Sequence, residues 1–143
     1  MPKLLKTITI KAPVERVFTF VDEPTNLPKI WPSLFEVKDV EKLPDGGYRY
    51  AWLYNMAGAH FRGTTEIFER ILGKRIAEKA MGDVKGTYVW EFHGENGTTK
   101  VDFQAEYEVP TRFATKEDEA FLIRRNEFEV DTLLANLKAK LEV

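Results

Sequence analysis

Hydrophobic and polar positions alternate with a period of two through most of this chain and switch to a helical period only near its two ends. Lys6 to Lys11 reads Lys-Thr-Ile-Thr-Ile-Lys, which puts Ile8 and Ile10 on one face and predicts a half-covered strand. Ala12-Pro13 ends it. Val14, Val17, Phe18 and Val21 then recur at helical spacing, with Pro13 tolerated in a first turn where its missing N–H costs nothing. Prolines 24, 28 and 32 limit the next segment to a bent corner with a short helical piece around Asn26 to Ile30.

Six alternating segments come next, predicted as strands over Phe35 to Leu43, Tyr48 to Ala57, His60 to Ile71, Arg75 to Met81, Thr87 to His93 and Thr99 to Val109. Each separator contains Gly, as tight hairpins with positive φ require, and Pro44-Asp45-Gly46-Gly47 reads as one such turn. Thr115 is placed to cap a helix over Lys116 to Leu141, with acidic residues in its first turn and Lys138 and Lys140 in its last. At 1.5 Å per residue that helix is roughly 39 Å long, a match for a ten-residue strand of roughly 34 Å. A curved antiparallel sheet with one apolar face and one large helix has few ways to pack. The predicted fold is α+β: seven antiparallel strands wrapped around the C-terminal helix, with two short helices after strand 1.

Composition narrows the picture. The 143 residues, 43% apolar, suffice for one core and predict a single domain over 1–143. A net charge of −2 offers no basic field for nucleic acid. No apolar run approaches the ~20 residues that span a bilayer, so a cytoplasmic protein without stable membrane insertion is expected. The chain has no Cys, which removes disulfides, thiol nucleophiles and thiolate metal sites. No feature fixes the oligomeric state, monomer or weak dimer.

The text Thr7-Ile8-Thr9-Ile10-Lys11-Ala12-Pro13-Val14-Glu15-Arg16-Val17-Phe18, followed by Asp22, Pro28 and Trp31, resembles the opening of polyketide cyclase/dehydrase and START-like proteins of the Bet v 1 superfamily. The resemblance extends to the order of elements over essentially the whole chain. It implies the helix-grip fold and an internal pocket for a small hydrophobic ligand such as a lipid, quinone or polyketide. It also implies an entrance between the start of the long helix and the loops at 57–59, 82–86 and 110–114, with Arg112 and Phe113 as gate residues. The quoted motif anchors the first helix and carries no chemistry of its own.

Strand parity yields the candidate lining residues. Tyr48, Tyr50, Trp52, Tyr54 and Met56 share one face, opposite Arg49, Ala51, Leu53 and Asn55, and should point inwards. Tyr88, Trp90 and Phe92 do the same, as do Phe103 and Tyr107 one strand on. Trp31 in the corner and Phe121 and Phe128 on the helix complete the candidate ligand-binding set. Tyr and Trp tips need partners when buried, which a cavity with a polar ligand supplies; a solid aromatic core with hydroxyls at its rim is the other reading.

On the long helix Ala120, Ile123, Val130, Leu134, Leu137 and Leu141 form an apolar stripe with Glu127 in its middle. Glu127 is then either a pocket acid or, after a small rotation of the helix, an edge residue paired with Arg124. Arg124 and Arg125 with Arg112 form a candidate cationic mouth for a carboxylate or phosphate, or are solvated or paired with Glu117, Asp118 and Glu129. His60 and His93 lie on outward faces without metal-ligand spacing, Ser33 is the only serine and has no local base, and no phosphate-binding glycine loop is present. No metal, cofactor or hydrolase machinery is expected. Three functions remain: a carrier of a hydrophobic or aromatic ligand, a cyclase or dehydratase with Glu127 or a tyrosine as acid/base, and a protein-docking module.

Overall fold

The computed structural model describes residues 1–56, 58–110 and 115–143. Strand β1 (Lys3–Ile10) leads into helix α1 (Val14–Asp22) and a 3-10 turn over Pro24–Lys29. Strands β2 (Leu34–Lys42), β3 (Tyr48–Met56), β4 (Ala59–Ile71), β5 (Arg75–Gly82), β6 (Gly86–Glu95) and β7 (Thr98–Tyr107) form the meander, and helix α2 (Lys116–Leu141) closes the chain. The strands make one sheet in the order β1-β7-β6-β5-β4-β3-β2, every pair antiparallel. β1 and β2, consecutive in sequence, therefore occupy opposite edges, and α1 with the proline corner spans the distance between them. No helix among the described residues is long and apolar enough to cross a membrane.

The interior has a solid end. Val17, Phe18 and Val21 of α1 are buried, and Phe18 meets Phe92 edge-on with ring centroids 5.3 Å apart. Burial of such side chains stabilises by about 1.5–3 kcal/mol each. Trp90 packs on Phe103 at 4.6 Å and stacks with Phe92 at 6.4 Å, and all three rings are buried. Arg70 of β4 fastens the end of α1 by donating from Nε and Nη2 to the two Asp22 oxygens at 2.8 and 2.7 Å.

Helix α2 begins as expected, with the Thr115 hydroxyl accepting from the Asp118 N–H at 3.1 Å. Its second half buries Leu133, Leu134, Leu137 and Leu141. Asn136 Nδ2 donates to the Ile30 carbonyl at 2.9 Å and Lys138 Nζ to the Thr9 carbonyl at 3.0 Å. Residues 115–121, in contrast, are exposed throughout.

The phase of that first half corrects the sequence reading. Glu127, Phe121, Phe128 and Arg124 all face solvent, with Phe128 75% exposed, whereas Leu122 and Glu129 are buried. With Leu137 at the centre of the stripe and roughly 100° per residue, Glu127 and Glu129 fall on opposite flanks, each roughly 80° away. The Glu129 flank is covered by the proline corner and β3; among the described residues the Glu127 flank has no such cover.

Candidate functional site

The other end of the interior is hollow. A cavity of about 90 Å³ lies between α2 and the strands β3 to β7. Rings and a thioether from β3 and β6 line it: Tyr50, Trp52, Tyr54, Met56 and Tyr88, with Trp31 from the proline corner. The alternation of β3 aims these side chains to one side, while Arg49 and Asn55 between them are exposed. Trp52 packs against Gly63 of β4, where a Cβ would stand 2.4 Å from the indole and 2.2 Å from the Met81 carbonyl oxygen. Only glycine allows that approach. Tyr107 of β7 also lines the cavity, and its buried hydroxyl makes no hydrogen bond within the described residues.

Two buried glutamates face this space in different states. Glu129 of α2 sits in a knot of donors: Trp31 Nε1 at 3.1 Å, the hydroxyls of Ser33 and Tyr54, and the Arg125 guanidinium, Nη1 to Oε1 at 3.2 Å and Nη2 to Oε2 at 3.3 Å. Arg125 also donates to Asn126 Oδ1 at 3.0 Å and to the Asn55 carbonyl at 3.3 Å. The buried charge is thus paired and hydrogen-bonded on both oxygens, which is what makes it tolerable.

Glu78 of β5, 5% exposed, has one donor among the described residues, the Tyr50 hydroxyl at 3.2 Å. Burial pushes its carboxyl up to about 7, and the Tyr50 bond only partly opposes this. The phenols of Tyr50, Tyr54 and Tyr88 are themselves raised above 10, chiefly by burial and further by the nearby carboxylates. Trp52 Nε1 donates to Thr65 Oγ1 at 3.0 Å, so the polar tip of that ring is satisfied within the wall. The cavity therefore combines apolar rings with an acid able to hold or release a proton near neutrality.

A model of the family described as polyketide cyclase/dehydrase and lipid transport matches residues 1–142. The chain belongs to that family. No curated protein gives a significant match in sequence. Among solved structures, TTHA0849 from Thermus thermophilus is 24% identical with a TM-score of 0.71, covering 98% of this chain and 97% of its own. A START superfamily protein from Mycobacterium smegmatis is 15% identical at a TM-score of 0.75, with 98% and 97% covered. The Zhui aromatase/cyclase from a Streptomyces species is 13% identical at 0.74, with 96% and 93% covered. These likenesses establish the helix-grip fold expected from the sequence.

Against this cyclase and lipid-transport fold, the expected site residues divide. Tyr50, Trp52, Tyr54, Met56, Tyr88, Tyr107 and Trp31 surround the cavity. Trp90, Phe92 and Phe103 point inwards as parity required but pack against one another and Phe18, so they form the solid end and not the lining. Phe121, Phe128 and Glu127 are on the outer side of α2, and Arg124 is exposed there while Arg125 turns in. Arg112 and Phe113, expected at the entrance, lie outside the described residues. Glu78 and Ser33 are polar residues of the site that sequence reasoning missed, whereas Glu129 was expected as an ion-pair partner of the arginines, which it is for Arg125, but not as a buried residue. The signal for Glu78 was present: Ile76, Glu78 and Ala80 alternate on one face of β5, and parity places the glutamate inside between two apolar neighbours. Ser33 carried no signal, because its partners Glu129 and Arg125 are 96 and 92 residues away. No group of three or more His, Asp or Glu able to hold a metal occurs among the described residues.

Proposed function

We propose that the chain binds or carries a small hydrophobic or aromatic molecule in the cavity beneath α2, acting as one domain. The carrying observation is an interior lined by six rings with polar tips, beside Met56 and three leucines, at the place where the same sheet elsewhere packs solid. Ring burial supplies affinity and the hydroxyls supply orientation. At about 90 Å³ the space is smaller than the roughly 150 Å³ that admits benzene to an engineered apolar cavity. Occupancy therefore requires the half-buried and exposed lining at Val84, Glu108, Pro110 and Asn126 to give way.

The second reading, a cyclase or dehydratase, is favoured by one observation. Glu78 beside Tyr50 is an acid near neutrality within a water-poor space, the property a general acid/base needs. It replaces Glu127, which faces solvent, in that role.

Native mass spectrometry of protein purified from its own host tests the binding reading, with Ala105→Phe as a variant that fills the cavity from β7. A stoichiometric small molecule retained by the parent protein and lost from the variant is expected. Equal masses for both, together with equal binding of an added hydrophobic fluorophore, would overturn it.

A further inference from the structure

The charge inventory of the cavity is one-sided. Glu78, Glu108 and Glu129 line it, and among the described residues no Lys, Arg or His does. Arg125 cancels Glu129, and its guanidinium is spent on Glu129, Tyr54, Asn126 and Asn55. Glu78 has no cation among the described residues: one oxygen accepts from Tyr50 and nothing there donates to the other. His60 and His93 are on exposed positions of the sheet. A carboxylate buried without a counter-charge destabilises a fold, whereas Gln or Leu at that position would not. The buried Tyr107 hydroxyl lines the same space from β7 beside Asn126, with no well-formed hydrogen bond among the described residues.

These features converge on a ligand that brings positive charge and N–H donors. We propose that the cavity takes a small aromatic amine as its cation, the ammonium donating to the Glu78 carboxylate and to the Tyr107 hydroxyl, and the ring held among Trp52, Tyr88 and Met56. The inference rests on the ligand-binding reading above and names the ligand class for that same site. The electron-rich faces of Tyr and Trp favour a nearby cation, and the exposed Glu108 gives the approach a matching sign. Above pH 7 an anionic ligand would be repelled by the ionised Glu78 and by Glu108, and a neutral one would leave the Glu78 charge without a partner.

The proton balance gives the amine a signature. Glu78 must ionise to pair with an ammonium, so affinity rises with pH up to about 7, by at most tenfold per pH unit, and flattens above it. Around Glu78, Tyr50 from β3, Tyr88 from β6 and Tyr107 from β7 stay protonated in that window, and Arg125 on α2, paired with Glu129, stays charged, so none of these four mimics the slope. A carbonyl ligand held by the protonated acid would show the opposite slope.

Isothermal titration calorimetry of the full chain with benzylamine, benzyl alcohol and benzoate, between pH 5.5 and 8, separates the cases. Benzylamine is expected to bind at least tenfold more tightly than benzyl alcohol at pH 8, to strengthen as pH rises, and to lose that advantage in Glu78→Gln. The variant keeps the volume and sheds the burial penalty, so it remains folded above pH 7. Benzyl alcohol binding as tightly as the amine, or an amine advantage that survives Glu78→Gln, overturns the amine while leaving the cavity reading intact. Absence of binding by all three overturns both.

Discussion

The two ends of the interior are built by the same strands from the same kinds of side chain, yet one is solid and the other hollow. On β6, Trp90 and Phe92 are buried against Phe103 and Phe18, while Tyr88, two residues before Trp90, borders open space. The difference lies in what covers each end. The solid end receives α1 and the leucines of the second half of α2, which fill it with carbon. The hollow end receives the first half of α2 up to Glu129, where Leu122 turns in with Arg125, Asn126 and Glu129, and polar groups seek partners at fixed distances that leave gaps between them. Ring content alone does not decide between core and cavity; the polarity of the covering face does.

The largest effect is expected at the solid end. Trp90→Ala should cost about 3–5 kcal/mol of unfolding free energy, seen as a lower midpoint in urea, because a fully buried ring leaves a cavity its neighbours cannot close. A loss under about 1 kcal/mol would mean that this end is as loosely packed as the other. Next in size is Glu129→Ala, which strands Arg125 and unties Trp31, Ser33 and Tyr54. About 2–3 kcal/mol is expected, less than for a fully buried pair since Arg125 is half-buried.

At the hollow end, Glu78 makes the difference visible through pH. Its folded value lies above its unfolded one, so the folded protein holds the extra proton, and stability is greatest below pH 4.5 and falls as pH rises towards about 7. The full difference between 4.5 and about 7 corresponds to at most about 3 kcal/mol. Glu78→Gln should flatten this slope and unfold at a higher temperature than the parent at pH 8, with no gain at pH 4; equal slopes in calorimetry would place Glu78 in contact with water. The smallest effect is expected at Phe128→Ser, within about 0.5 kcal/mol, because that ring is 75% exposed.

The sequence displays period-two alternation plainly, so strand order, inward rings on β3 and the Thr115 cap could be read before any coordinates. The first half of α2 could not. Leu122 alone marks its buried face, Ile123 and Glu127 extend the leucine stripe equally well on paper, and a carboxylate at a covered position runs against the hydrophobic rule used to find it. The pairing of Glu129 with Arg125 is legible from its spacing, but its burial only when Trp31, Ser33 and Tyr54 are known to be near, which is tertiary information. Whether the rings near the helix leave a void was equally beyond parity, since Tyr88 and Trp90 obey it alike.

The uneven anchoring of α2 has a kinetic consequence. Its last turns are held by Ile30, Thr9 and four buried leucines, its middle by the Glu129 knot, and its exposed first turns by little beyond their own backbone bonds and the Thr115 cap. Amide protons along this single helix should therefore exchange over a gradient, fastest near Lys116 and slowest near Leu137. Asn126, which borders the cavity, accepts from Arg125 and so belongs to the knot, where the looser half ends. Fraying that stops short of Arg125 requires far less free energy than unfolding the chain, so the rim of the hollow end should open and close many times within the lifetime of one folded molecule.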